Sequence, residues 1–192
     1  MTAGPDRLEI PARKGIPYLV SVGACDMVNF GAKDTVPERY RDRNLYVHNP
    51  AVTLMRTTKE NNHQIGKFIS SQLRTHAANR ELVRVIIPEA GVSMIDAPDK
   101  PFHDPEADAE LFQALEEGLG GSGIEIEKHK ENINSEVFAA QVCRAVLDLM
   151  KVDPKTYRLA NERRRMWSFD HGASIRKLRR DSYVEIPDAV EG

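Results

Sequence analysis

Short apolar segments alternate with amphipathic segments along this chain, and this pattern limits the possible folds most strongly. Apolar runs at residues 18–22, 45–48 and 83–87 have the length of buried strands, and residues 124–126 form a weaker fourth. Between and after them, apolar residues recur at helical spacing. Strands separated by helices predict βα units, so we expect an α/β fold with an open parallel Rossmann-like sheet and helices on both faces.

The predicted helices have recognisable start signals. Thr57 and Glu60 have the spacing of a capping box, in which the hydroxyl and the carboxylate each accept an unpaired backbone N–H. Asp104 precedes a helix with Pro105 in its first turn, and Ser135 precedes the last core helix. We therefore expect the helices to begin at these positions and the last one to end before residue 154.

The chain has 192 residues, which is enough for one well-buried core and short for two. Its character changes after residue 152, because residues 153–182 contain nine Lys and Arg residues against four Asp and Glu residues. We predict one Rossmann-like α/β domain at residues 1–152 and a basic tail at residues 153–192, extended or poorly ordered.

Charge and composition limit the classes of partner. A net charge of −2 gives no overall attraction to nucleic acid or membranes, and no apolar run reaches the roughly 18 residues of a membrane span. Basic clusters at residues 163–165 and 176–180 flank Trp167, but such runs are more often solvated arms than nucleic-acid sites. Cys25 and Cys143 form no disulfide framework. We expect a cytoplasmic protein that binds neither membranes nor nucleic acid.

Ligands of open parallel sheets bind beyond the carboxyl ends of the strands. In this chain the segments that follow the predicted strands contain small and polar residues rather than generic charged ones. They supply the predicted ligand-binding set, which is Asp26, Asn29, His48, Asn49, Arg56, Thr57, Thr58, Gly91, Ser93, Asp96 and Asn134.

Arg56 is the most informative member of this set. A cation directly before a helix does not suit the positive end of the helix dipole, whereas an anionic ligand there would suit both. Thr57 and Thr58 would donate hydrogen bonds to that ligand, although a capping role explains these two residues equally well. Asp26 and Asn29 are also explained by a tight loop that they stabilise.

The sequence leaves open whether the protein is an enzyme. It contains no Walker loop, no G-x-G-x-x-G and no nucleophile elbow. Cys25 with His48 as its base is one possible nucleophile, but an inert packed thiol is the more common case. Asp26, Asp96 and Asp104 are candidate ligands for Mg²⁺, because hard cations prefer oxygen ligands.

Several segments, in order, resemble one family. They are Gly4-Pro5-Asp6-Arg7-Leu8, Asp26-Met27-Val28-Asn29-Phe30-Gly31, His48-Asn49-Pro50, Arg56-Thr57-Thr58, Gly91-Val92-Ser93 with Asp96, residues 101–108, and Ile133-Asn134 with Phe138-Ala139. Together, residues 2–150 resemble the C-terminal half of the tomato mosaic virus resistance protein family, the Tm-one-like ATP-binding proteins. The resemblance implies two Rossmann-like halves, ATP as a ligand, and self-association. Cys25 and Ser135 depart from the pattern, and the basic tail has no counterpart in it.

Two hypotheses follow. In the first, the chain is a ligand-binding half-module that holds a nucleotide, ATP with Mg²⁺, or another small anionic molecule at the strand ends. In the second, it is a non-enzymatic interaction module that pairs with itself, with a separate N-terminal half or with another protein.

Overall fold

The computed structural model describes residues 4–153. They form six strands and four helices: α1 (Glu9–Arg13), β1 (Tyr18–Val20), β2 (Met27–Phe30), β3 (Leu45–Asn49), β4 (Val52–Arg56), α2 (Lys59–His76), β5 (Val83–Pro88), α3 (Pro105–Leu119), β6 (Glu125–His129) and α4 (Glu136–Leu149). The prediction of an α/β fold with an open parallel sheet is confirmed. The tail predicted at residues 153–192 lies outside the described residues, apart from Asp153.

The parallel sheet has the strand order β1-β5-β6, with β5 in the centre. Val83, Val85 and Ile87 alternate along β5 and join one buried cluster with apolar residues of α2 and α3. Ile86 lies on the opposite face of β5, the face against which α4 packs. Helices therefore cover both faces of the sheet, which explains why β5 is almost continuously apolar.

A second sheet, which the sequence did not predict, has the order β2-β4-β3 and is antiparallel. Residues 45–48 form a strand as expected, but not a parallel one. The Asn49 side chain accepts a hydrogen bond from the N–H of Ala51 at 2.9 Å, and this turn returns the chain directly along β4. The prediction for residues 45–48 was wrong in this respect, because a two-strand hairpin needs no helical crossover.

The helix starts agree with the prediction in two of three cases. The side chains of Asp104 and Ser135 accept hydrogen bonds from the third helical N–H of α3 and α4. For α2 the cap is Thr58, which forms a capping box with Asn61, and not Thr57 with Glu60. The hydroxyl of Thr57 is buried and donates to the carbonyl of Cys25 at 3.0 Å. It is therefore unavailable to the helix.

None of the helices within residues 4–153 is both long and apolar enough to cross a membrane.

Candidate functional site

Three loops meet at the carboxyl ends of the parallel strands. The N–H of Ala24, after β1, donates to the carbonyl of Val92, after β5, at 2.9 Å. The N–H of Ile133, after β6, donates to the carbonyl of Gly91 at 3.0 Å. The loop after β5 is therefore held from both sides, and the three loops form one continuous edge, as the sequence predicts for an open parallel sheet.

The backbone at this edge is closely packed and partly strained. Gly91 has a φ of +126°, and a Cβ there would lie 3.1 Å from the carbonyl oxygen of Asp96. Val22 and Ala24 adopt positive φ values of 52° and 57°, which residues with a side chain rarely do. Strained backbone of this kind costs about 1–3 kcal/mol per residue and is often found at ligand sites.

The end of β4 reaches the same region through Arg56, which is only 4% exposed. Its Nη2 lies 2.7 Å from Oδ1 of Asp108 and 3.1 Å from Oδ1 of Asp96. Its Nε donates to the carbonyl of Phe102 at 2.8 Å, and its Nη1 donates to the hydroxyl of Thr57 at 3.0 Å. The guanidinium therefore points into the protein, where it links β4, the loop after β5 and α3.

The charges around Arg56 are unbalanced. Asp26, Asp96 and Asp108 surround a single guanidinium, and all three carboxyl groups are buried. Burial raises the pKa of Asp96 to about 8; the N–H of Val92, which donates to its Oδ2 at 2.7 Å, opposes this shift, and the neighbouring Asp108 adds to it. The folded protein therefore holds a proton on this cluster near neutral pH.

Asp26 is fully buried, and only one of its two carboxylate oxygens has a hydrogen-bond partner within residues 4–153. Its Oδ2 accepts a hydrogen bond from the hydroxyl of Ser93 at 2.7 Å, whereas its Oδ1 has no hydrogen-bond partner within residues 4–153. Burial raises the pKa of Asp26, against the effects of Ser93 and Arg56. The backbone carbonyl of Asp26 accepts the N–H of Thr57 at 2.9 Å, which ties the loop after β1 to the start of α2.

The structure brings together more than half of the predicted ligand-binding residues. The buried network contains Asp26, Arg56, Thr57, Gly91, Ser93 and Asp96. Thr58 is exposed at the start of α2, and Asn134 is exposed in the loop after β6. The exposed side chains at this edge, rather than Arg56, are the ones that a ligand can reach without opening the network.

Three predicted residues lie elsewhere. His48 and Asn49 are at the hairpin end of β3, opposite Val52 and roughly 13 Å along β4 from Arg56. Asn29 is exposed on the outer strand β2, where it pairs with Leu54. Their grouping with the site depended on a parallel strand at residues 45–48 and on a loop that includes Asn29, whereas residues 45–49 are antiparallel and Asn29 lies in β2.

Sequence reasoning missed Asp108, although it makes the shortest contact with Arg56. The helical pattern contained a signal for it, because Asp108 precedes Leu111 and Phe112 by three and four residues. Residues at these spacings share a helix face, so this carboxylate lies on the buried face of α3. A charged residue on an apolar helix face generally has a buried partner.

The geometry does not favour Cys25 as a nucleophile, and within the described residues it does not bring Asp26, Asp96 and Asp104 together as a magnesium site. Burial, with a contribution from the charge of Asp26, raises the pKa of the Cys25 thiol to about 12, and His48 lies at the far end of another sheet. In the described part of the chain, no group of three or more His, Cys, Asp or Glu residues is arranged to hold a metal ion. Asp104 caps α3 through its Oδ1, so it does not join Asp26 and Asp96 in a cation site.

Residues 1–150 match the C-terminal domain of an uncharacterised protein family, UPF0261, and the chain therefore belongs to that family. This confirms the resemblance seen in the sequence.

The chain is 44% identical over 151 residues to a UPF0261 protein of Clostridium tetani (79% of this chain, 37% of that protein). It is 46% identical over 150 residues to the UPF0261 protein RA0729 of Rhizobium meliloti (78% and 37%). It is also 37% identical over 158 residues to the ToMV resistance protein Tm-1(GCR237) of Solanum lycopersicum (81% and 20%). The matched segment thus spans little more than a third of its bacterial relatives.

Proposed function

We propose that this domain binds a small anionic molecule, with ATP and Mg²⁺ as the first candidate, at the carboxyl ends of the parallel strands. The observation that carries the proposal is the joining of three strand-end loops into one edge by the hydrogen bonds of Ala24 and Ile133. Doubly wound α/β proteins bind their ligands at this carboxyl-end edge of the parallel sheet. No catalytic step is part of the proposal.

The anion is best placed at the exposed helix starts and not in the buried network. Three carboxyl groups around Arg56 would repel a phosphate, whereas the first-turn N–H groups of α2 and α4 have no acceptor within their helices. Thr58 and Asn134 lie at these two starts and are exposed. In this arrangement Arg56 positions the loops. That Arg56 itself contacts the ligand, as the sequence predicts, stays a prediction.

Calorimetric titration of the chain with ATP, with and without Mg²⁺, tests the proposal. We expect saturable binding at one site, weakened about tenfold by Asn134→Ala and by Thr58→Ala, because each loses a charge-assisted hydrogen bond. Thr75→Ala is the matched control, since Thr75 is polar, exposed and in the last turn of α2, at the other end of the helix from Thr58. Absence of saturable binding, or an equal loss in the control, would reject ATP binding at this edge.

An interaction module is the second candidate function. Met94, in the loop after β5, is 70% exposed, and Val137, in the first turn of α4, is 54% exposed. Both apolar side chains lie at the carboxyl-end edge, and the relatives contain much additional chain that this segment does not cover. The partner in this case is a second copy of the chain or an N-terminal part of such a protein.

Sedimentation velocity over a range of concentrations distinguishes this candidate. If the edge self-associates, Met94→Lys should shift the chain towards monomer, because a charge would be buried without a partner. Met150→Lys is the control, since Met150 is similarly exposed but follows α4 at its other end. A monomer at every concentration would exclude self-association and leave only a separate partner.

We also propose a cytoplasmic location. Its support is that both cysteines, Cys25 and Cys143, are free thiols. Fractionation of cells that express the chain would test this.

A further inference from the structure

The antiparallel sheet has two faces of different character. Along β4, Leu54 and Arg56 share the face that packs on the rest of the domain, because Arg56 contacts Asp96 and Asp108 from there. Side chains alternate along a strand, so Thr53 and Met55 lie on the opposite, outer face. Their four cross-strand neighbours share that face. Val28 and Leu45 lie opposite Met55, and Phe30 and Val47 lie opposite Thr53.

This outer face is apolar, although the outer face of an antiparallel sheet is usually polar where it meets water. Val28 and Val47 remain 39% and 49% exposed. Thr53 is fully buried, and its hydroxyl has no hydrogen-bond partner in the part of the chain that the structure describes. The buried Thr53 hydroxyl lies beneath this surface and out of a ligand's reach, whereas the exposed apolar side chains are typical of a surface that binds another molecule.

The connection between β2 and β3, residues 31–44, covers part of this face and leaves a pocket. Val36 anchors the connection at 2% exposure, and the Tyr40 ring packs 5.8 Å from the ring of Phe30. The pocket has a volume of about 410 Å³ and is lined by Lys33, Asp34, Val36, Arg41 and Leu45. This volume is within the range of small-molecule sites.

We propose that this pocket binds a small amphipathic anion, an alkyl chain that ends in a carboxylate. Leu45, which is partly exposed, supplies the apolar contact above the buried Val36, and Lys33 and Arg41 supply two cations against the carboxylate of Asp34 in the lining. Arg41 also pairs with the exposed Glu38 at 2.6 Å, so Lys33 is the less compensated cation. The pocket is on the face of β4 opposite Arg56, and the proposal is therefore independent of the strand-end site.

Backbone amide NMR with two probes of opposite charge tests this. Octanoate should shift amide signals within residues 31–47 saturably, while octylammonium, which has the same chain length, should not. Equal shifts by both probes would show apolar contact without recognition of charge and would overturn the proposal. Saturable shifts confined to other residues, or none up to the solubility of octanoate, would overturn it as well.

Variants at two adjacent positions test whether the charges of the pocket determine octanoate binding. Lys33→Gln should weaken octanoate binding about tenfold, as expected for the loss of one charged partner. Asp34→Asn should strengthen it, because the repelling carboxylate is removed. Lys67→Gln, an exposed lysine on α2, is the control and should leave the affinity unchanged. All three side chains are exposed, so each variant should fold, and an equal effect of Lys33→Gln and Lys67→Gln would contradict the assigned role.

Discussion

Arg56 is the residue on which the interior of the strand-end region depends. It joins β4 to Asp96 in one loop and to Asp108 in α3, and all three side chains are buried. Removing one partner of a buried ion pair leaves an uncompensated charge and costs about 3–5 kcal/mol. Arg56→Ala would therefore unfold or loosen the domain, and it is a poor test of ligand binding.

The pH dependence of stability should report on this cluster. The pKa of Asp96 is about 8 in the folded protein against an ordinary value of 3.8. Between these values the folded state keeps a proton that the unfolded state releases, so the free energy of unfolding should fall as pH rises through this window. Asp108→Asn removes a negative neighbour of Asp96, lowers the pKa of Asp96, and should make this fall smaller.

This effect is measured by urea unfolding of the wild type and of Asp108→Asn at a series of pH values from 5 to 9. The urea midpoints of the two proteins are then compared at each pH. Asp148→Asn is the control, because Asp148 is exposed on α4, away from the cluster. Parallel midpoint curves for the wild type and Asp108→Asn would show that the two carboxyl groups do not interact as the structure indicates.

At the scale of elements, the most extensive contact within residues 4–153 is between α2 and α3. Gly66 of α2 is buried against Ala114 and Leu111, and a Cβ at Gly66 would lie 2.7 Å from the Ala114 Cβ and 2.7 Å from the Leu111 carbonyl oxygen. The two backbones approach because small residues meet there. The pair of helices can then cover the Val83, Val85 and Ile87 face of β5 as one layer.

Gly66→Ala should destabilise the domain. Helix propensity alone would favour Ala by about 1 kcal/mol, but the overlap with α3 should cost about 1–3 kcal/mol and should exceed that gain because the contact includes backbone. Thermal or urea unfolding measures the difference. Ser71→Ala, at an exposed position of the same helix, should be neutral or slightly stabilising, and a stabilising Gly66→Ala would show that the helices are not in close contact.

At the scale of the whole molecule, both sheets belong to one unit. The connection from β1 to β2 passes through Asp26, and β4 leads through Arg56 and Thr57 into α2, so the same buried network secures both sheets. The buried apolar residues run from Ala12 to Leu149, and the largest cluster lies between Val22 and Ile124. The described segment therefore contains its own core.

A chain that ends at residue 153 should fold by itself. Removing residues 154–192 should leave a single cooperative unfolding transition with a midpoint close to that of the full chain, because the cluster around β5 is intact without them. Circular dichroism during thermal unfolding of both chains tests this. A midpoint lowered by many degrees would place the domain boundary beyond residue 153.

Local signals were enough for several features. Asp104 and Ser135 precede apolar helical stripes and cap the helices as predicted, since capping depends only on residues within one turn. The β-branched run in β5 is a strand because it is buried on both faces. A helix that begins near Thr57 was also predicted, but its cap is Thr58 and not Thr57, because a tertiary hydrogen bond to Cys25 occupies the Thr57 hydroxyl.

The sequence by itself determined the α/β class, the helices, the central parallel strand and the family, since each depends on periodicity or on residues close together along the chain. Only the tertiary structure decided that residues 45–56 form a hairpin in a second sheet and that Arg56 points inward to Asp108. Strand pairing and buried ion pairs join residues that are far apart in the chain, 52 positions in the case of Arg56 and Asp108, and the energy of such contacts depends on partners that no local pattern specifies.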